Sequence, residues 1–429
     1  MIAMLPAARA GAAGAAGQTV PGQPNDPLFG AQWNLPMIGI PAAWSVSRGV
    51  GATVAVIDTG VAYEDYGPHR RAPDLAGTTF VPGWDFIKND NHPDDEAPAG
   101  QASHGTHIAG IIAQTTDNGL GAAGIAPGAA IMPIRVLSPS GTGTSSAVAR
   151  GVRFAVDHGA NVANLSLGGD VESPELADAV AYALAKGVTV VASSGDEGQP
   201  MISLPAGYPG VISVGAVRFD KSRAHYSSYG PRLDLVAPGG DLEVDQNHDG
   251  LQDGIVQQAL FGGPSNFCFC FKEGTSSAAA HVSAVAALLI ASGRASTPAA
   301  IRAALTATAE HLGPAGRNDE YGAGLVQAAA ALGVTVSGLP ATPAPSTSAS
   351  SSGTVPPSQL GNPAAPVPAP LRRPRGSGIP TWWIVFDGFG AAVVVAVAIR
   401  WWRRRGPRVP PDSAPPQQDA ADQAPTHRG

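Results

Sequence analysis

From Ala278 to Ala291 the chain is almost wholly apolar on every face of a helix, and Gly293 stops it. Such a helix has no side to give to water, so it belongs inside a large protein with other layers packed around it. Just ahead of it, Gly274, Thr275, Ser276 and Ser277 end a short apolar run and put Ser276 at the helix start. A residue there sits beside unpaired N–H groups and the positive end of the helix dipole. A lone serine in that place reads as an N-cap. Two other segments argue for more.

The first, Thr53 to Gly60, reads TVAVIDTG, a continuous apolar run ending in a carboxylate and a glycine turn. It predicts a buried parallel strand with Asp58 at its C-terminal edge, where open α/β sheets place their sites. The second, His104 to Gly110, reads HGTHIAG, a histidine opening another apolar helix. Asp, His and Ser in that order, each at the end of a strand or the start of a helix, make a nucleophilic triad a natural reading. DTG, HGTH and GTSxAAxH together are the signature of the subtilisin-like serine proteases, which the chain resembles from about Asn25 to Gly333. The resemblance implies Asp58, His104 and Ser276 as the triad. It also implies a parallel sheet with helices on both faces, the α/β three-layer fold of that family.

The alternation of elements agrees with that expectation. Ala130–Leu137 and Val188–Ala192 read as buried strands, Ser145–His158 and Pro174–Lys186 as amphipathic helices between them. Residues 25–44 look like the arm that precedes the first core strand in the family. Asp241–Gly254 is a polar interruption, and a helix from Thr297 to Leu312 is expected to close a protease domain spanning 25–335. With 429 residues there is ample chain for one large core plus appendages. A net charge of −7 and no basic run in the main body argue against a nucleic-acid partner. The two cysteines, Cys268 and Cys270, would share one face of a strand. A disulfide between residues i and i+2 is awkward, so they read as buried thiols, and no second ligand pair supports a metal there.

In the implied chemistry Ser276 attacks a peptide carbonyl while His104 takes its proton, and Asp58 holds the imidazole in the right tautomer. His107 and His281 fall inside helices and read as core residues. An aspartic protease would also carry an apolar DTG, but it needs two such carboxylates and this chain has one. Ser166, Leu167 and Gly168 resemble the family's strand that pairs with substrate backbone, and Gly141 and Gly143 its facing edge; glycines there let another backbone approach. Ser194 and Gly195 should line the pocket for the residue before the scissile bond, small and uncharged, which favours apolar side chains. Two positions depart from the family pattern. Ala280 replaces a proline early in the serine's helix. Asp196 replaces the asparagine that would donate to the oxyanion, although some proprotein convertases resemble this chain in carrying Asp there.

Three acidic groups suggest calcium, a hard cation that takes several oxygens. Asp245, Asn247, Asp249 and Asp253, with Gly250 at the turn, have the DxNxDG spacing of a calcium loop. Asp26, Asp74 and Asn118 match the side-chain ligands of the family's tight site. Asp85, Asp90 and Asp94 resemble the second site of thermitase-like members, with Lys88 standing where another acid is usual. Each group also has a plain reading as solvated turn residues.

Residues 1–24 read as a signal-peptide remnant or a disordered leader, too short for the folding propeptide that relatives often carry. Pro, Ala, Ser and Thr dominate after Gly338, so 336–378 reads as a linker. Within 379–402, Ile379 to Ile399 is nearly unbroken apolar sequence, with Trp382 and Trp383 at one end and Trp401 and Trp402 at the other, and Arg400, Arg403, Arg404, Arg405 and Arg408 follow. That is the pattern of a transmembrane helix with a positive cytoplasmic flank. Asp387 within it costs about 2.5–3.5 kcal/mol, which the Ile, Val and Phe residues of the span offset at about 0.3–0.6 kcal/mol each. The remaining 403–429 read as a polar cytoplasmic tail. The expectation is a monomeric, membrane-anchored, extracytoplasmic serine endopeptidase acting on peptides or proteins. Its layout resembles that of the mycosins. The rival is a catalytically silent, calcium-stabilised binding domain of the same fold.

Overall fold

The computed structural model describes residues 23–335 and, beyond them, only the short strands Trp383–Ile384 and Val394–Val395. Apart from those four positions, the linker, the 379–402 span and the tail lie outside the described residues, as does most of the 1–24 leader. Among the described residues no helix is long and apolar enough to cross a membrane.

The core is an eight-stranded sheet whose paired strands all run parallel. Its strands are β1 Thr53–Asp58, β2 Thr79–Phe80, β3 Trp84–Asp85, β4 Ala130–Arg135, β6 Val162–Leu165, β7 Thr189–Ser193, β8 Ile212–Val217 and β9 Leu235–Pro238. The order is β2-β4-β1-β6-β7-β8-β9, with β3 also on β4; β5, Gly143–Thr144, lies outside it. The chain moves outward from β1 to β4 on one side, then crosses back to β6 on the other. The strand order therefore reverses at β1, and Asp58 stands at its C-terminal end, the place where open α/β sheets put their sites.

Alternation along β1 explains the layers. Val54 and Val56 enter one core cluster, shared with α3 (Gly105–Ala113) and α6 (Thr275–Ala291). Ala55 and Ile57 point the other way, into a cluster shared with α4 (Ser145–Asp157) and α5 (Pro174–Ala185). Helix α6 is buried from Thr275 to Leu289, as its all-round apolar sequence requires. Its N-cap is Gly274, at φ +143°, a conformation open to glycine, so Ser276 is the second helical residue and not the cap. The short helices α1 (Asn34–Met37) and α2 (Ile40–Ala43) belong to the N-terminal arm. Asn34 Nδ2 donates to His281 Nε2 at 2.8 Å and ties the arm to α6.

Two expectations change. The helix expected over 297–312 is shorter: α7 spans Pro298–Ala307, with Thr297 Oγ1 accepting from the Ala300 N–H at 3.3 Å. Glu310 then exchanges both backbone hydrogen bonds with Leu325 at 2.8 Å, which draws the chain out of the helix. The brief α8, Ala328–Ala331, follows it. The cysteines are not free thiols. They lie on β11, Phe267–Lys272, paired antiparallel with β10, Ile255–Leu260, and are joined in a disulfide. Their Cα atoms stand 5.5 Å apart, closer than the roughly 6.6 Å of a fully extended strand and within disulfide reach.

Candidate active site

Asp58 ends β1 fully buried, and Oδ1 accepts the Thr59 N–H at 2.7 Å. His104 caps α3, and its Nδ1 lies 2.8 and 2.9 Å from the two Asp58 carboxylate oxygens. With Nδ1 as donor, the neutral ring leaves Nε2 as its basic nitrogen. A Cβ on Gly105 would sit 2.1 Å from the Gly60 carbonyl oxygen, so only glycine after His104 lets α3 approach β1 this closely.

An unforeseen carboxylate, Asp95, holds the two motifs together. Its Oδ1 accepts from Thr59 Oγ1 at 2.8 Å, and its Oδ2 from the Thr106 N–H at 2.9 Å and Oγ1 at 2.6 Å. Thr59 Oγ1 in turn accepts the Gly105 N–H at 2.9 Å. Burial pushes the Asp95 pKa up, against the pull of these donors. Half-buried Lys272 is held down to about 8, chiefly by desolvation, and its Nζ donates to the Ala102 carbonyl at 3.1 Å. The motif threonines carried a signal for this network; Asp95, in an acidic loop, carried none.

Ser276 is 6% exposed. Its Oγ donates to the Ser166 carbonyl at 3.2 Å, and Ser166 Oγ donates back to the Ser276 carbonyl at 2.8 Å. The predicted substrate strand 166–168, directly after β6, is thereby locked to the α6 N-terminus. Ser194 Oγ donates to the Ser228 carbonyl at 2.8 Å, and the Gly195 N–H donates to Thr275 Oγ1 at 3.3 Å. Gly143 begins β5, and Gly141 turns the chain into it at φ +77°. Asp196 Oδ1 accepts from the Thr275 N–H at 2.7 Å and from Thr275 Oγ1 at 2.8 Å, immediately before Ser276. Desolvation raises its pKa although both donors oppose that.

A subtilase-family profile matches residues 49–324, which contain all of these groups. The chain belongs to the subtilase family. This subtilase is 38% identical to thermitase of Thermoactinomyces vulgaris over 294 residues, covering 68% of the chain and 94% of thermitase. It is 36% identical to subtilisin Savinase of Lederbergia lenta, covering 70% and 97%. A solved protease from Pseudoalteromonas arctica superposes with a TM-score of 0.63 at 33% identity, over 72% of this chain and 99% of that one. The subtilase is thus a serine endopeptidase with the expected α/β fold.

His107 and His281 are fully buried. His107 Nε2 donates to the Ile255 carbonyl at 2.9 Å, and burial lowers its pKa well below the usual range. His281 Nδ1 donates to the Ser277 carbonyl at 2.7 Å, and burial lowers its pKa to about 4.

The acidic groups differ from one another. Asp26, Asp74 and Asn118 do come together: Asp26 accepts the N–H groups of Asp117 and Asn118, and Asn118 Nδ2 donates to Asp74 Oδ1 at 2.7 Å. Burial raises Asp74 to about 6. Around Gly250, Asp245 accepts the Asp249 and Gly250 N–H groups at 3.2 and 3.1 Å, while Asp253 keeps one buried oxygen without a partner. Asp85 turns instead to Arg135, 3.6 Å away, and Asp90 accepts the His92 N–H at 2.9 Å. Buried Arg135 thus brings a cation near Asp85, whose Oδ2 has no hydrogen-bond partner, and neither oxygen of Asp94 has one.

Proposed function

We propose that this subtilase cleaves peptide bonds through an acyl-enzyme on Ser276. His104 takes the serine proton and returns it to the leaving amine, while buried Asp58 orients the ring and stabilises its cation. What supports this is the His104–Asp58 clamp, together with a serine in the first turn of a buried helix within the span that the subtilase profile matches. An extended peptide would add its backbone to 166–168 and to the 141–143 edge, with an apolar side chain against Ser194 and Gly195. The protease domain would stand outside the membrane, anchored through 379–402, a reading supported by the apolar span and its arginine flank. A serine-directed fluorophosphonate probe tests the reading: the protein should label at Ser276, and a silent domain would not label.

Calcium is proposed at two sites. Asp26, Asp74 and Asn118 would hold one ion between the N-terminal arm and the 117–122 loop; Asp245, Asn247, Asp249 and Asp253 would hold another. The crowded Asp26–Asp74 pair and the unpartnered Asp253 oxygen fit a cation that supplies positive charge and accepts oxygen donors. Binding to the folded state alone stabilises it by about 2.7 kcal/mol at a hundredfold excess over Kd. Excess chelator should therefore lower the melting temperature and open 241–254 to proteolysis. An unchanged melting curve would remove calcium from the account.

A further inference from the structure

Glu64, on the loop after β1, meets His92 and Asp94, on the segment that leads to His104. One ligand atom of each lies within 4.8 Å of the other two. Asp94 is 1% exposed, and neither of its carboxylate oxygens has a hydrogen-bond partner. Buried carboxylates are ordinarily satisfied by donors, as neighbouring Asp95 is, so a bare one needs a cation or another explanation. His92 is already held in place. Its Nδ1 lies 2.7 Å from Glu64 Oε1, and its ring stacks on Tyr66 with centroids 3.5 Å apart.

We propose that Glu64, His92 and Asp94 form a site for a divalent transition-metal ion of the zinc class, which staples the loop after Asp58 to the segment before His104. One imidazole and two carboxylates are a borderline donor set, suited to zinc, whereas calcium takes oxygen alone. Two carboxylates also match the charge of a divalent ion. The nearby cations are engaged elsewhere. Arg135 Nη1 lies 3.6 Å from Asp85, 3.2 Å from Glu96 and 2.9 Å from the Asp94 carbonyl, and Lys88 Nζ lies 2.6 Å from Glu96. The two segments already touch, since the Val61 N–H donates to the Pro93 carbonyl at 3.0 Å. The metal adds a second tie between the stretches that carry Asp58 and His104. The ligand set differs from the Asp85, Asp90 and Asp94 group suggested by sequence, which holds no imidazole. A simple ion pair of His92 with Glu64 is the competing account, and it leaves Asp94 unexplained.

The test uses the full chain with Ser276→Ala, to prevent self-digestion, stripped of metals and then saturated with calcium. Titration calorimetry with zinc should show binding at one equivalent that is sensitive to this site, and zinc should raise the melting temperature where further calcium does not. His92→Ala and Asp94→Asn should each weaken that binding at least about tenfold, as loss of a ligand does even more than loss of its supporting shell. Circular dichroism checks that the variants fold; if Asp94→Asn does not, half-buried Glu64→Gln takes its place. Zinc binding equal in wild type and folded variants, or no zinc binding at all, overturns the proposal.

Discussion

Ser276→Ala is expected to lower kcat on a peptide substrate by about 10⁶, the size of loss found when a subtilisin gives up its serine. Fluorophosphonate labelling should vanish with it. The fold should survive, because the hydroxyl donates one long hydrogen bond, 3.2 Å to the Ser166 carbonyl, worth about 1 kcal/mol. His104→Ala should fall similarly, since without the imidazole nothing takes the serine proton. Melting curves recorded beside the kinetics separate a chemical loss from unfolding. A folded Ser276→Ala protein that still turns over at more than about a hundredth of the wild-type rate would mean another nucleophile. That threshold lies far above what oxyanion contacts and binding leave behind once the serine is gone.

Asp196→Asn is expected to raise kcat at pH 8, up to about 10²–10³-fold, the cost of removing this donor from a subtilisin. A carboxylate beside the developing oxyanion repels it, whereas a protonated carboxyl can donate to it. Burial raises the Asp196 pKa, so the proton is kept to higher pH than in an ordinary aspartate. Thr275 donates twice to Oδ1, so the useful proton belongs on Oδ2. The sign follows. Wild-type activity needs Asp196 protonated, so it falls as pH passes through the raised Asp196 pKa. Asparagine keeps its donor at every pH and should remove the alkaline fall. A mutant with the wild-type profile and rate would show that Asp196 does not face the oxyanion.

The local elements around the site were legible because each has a pattern that survives without its neighbours. The run TVAVID is apolar on both faces of a strand, and the helix after Ser276 is apolar on all of its faces, so both announced burial and a layered α/β core. The length of α7 was less legible. Its end is set by the Glu310–Leu325 backbone pairing, which joins residues that composition does not connect. The disulfide escaped for a related reason: Cα atoms 5.5 Å apart reflect the local shape of β11, which spacing along the chain does not report.

The sequence by itself determined the family, through three ordered motifs, and with it the kinds of side chain that meet at the site. Tertiary structure decided which polar groups act on one another. Asp95 binds Thr59 and Thr106 across two motifs, Arg135 reaches Asp85 from β4, and Asp94 is left facing Glu64 and His92. Each of these depends on burial and on a partner distant in the chain or on another segment. A carboxylate in an acidic loop reads alike whether it is solvated, paired with arginine or bare in the interior. Its chemistry is fixed only when folding removes the water and brings, or withholds, a partner.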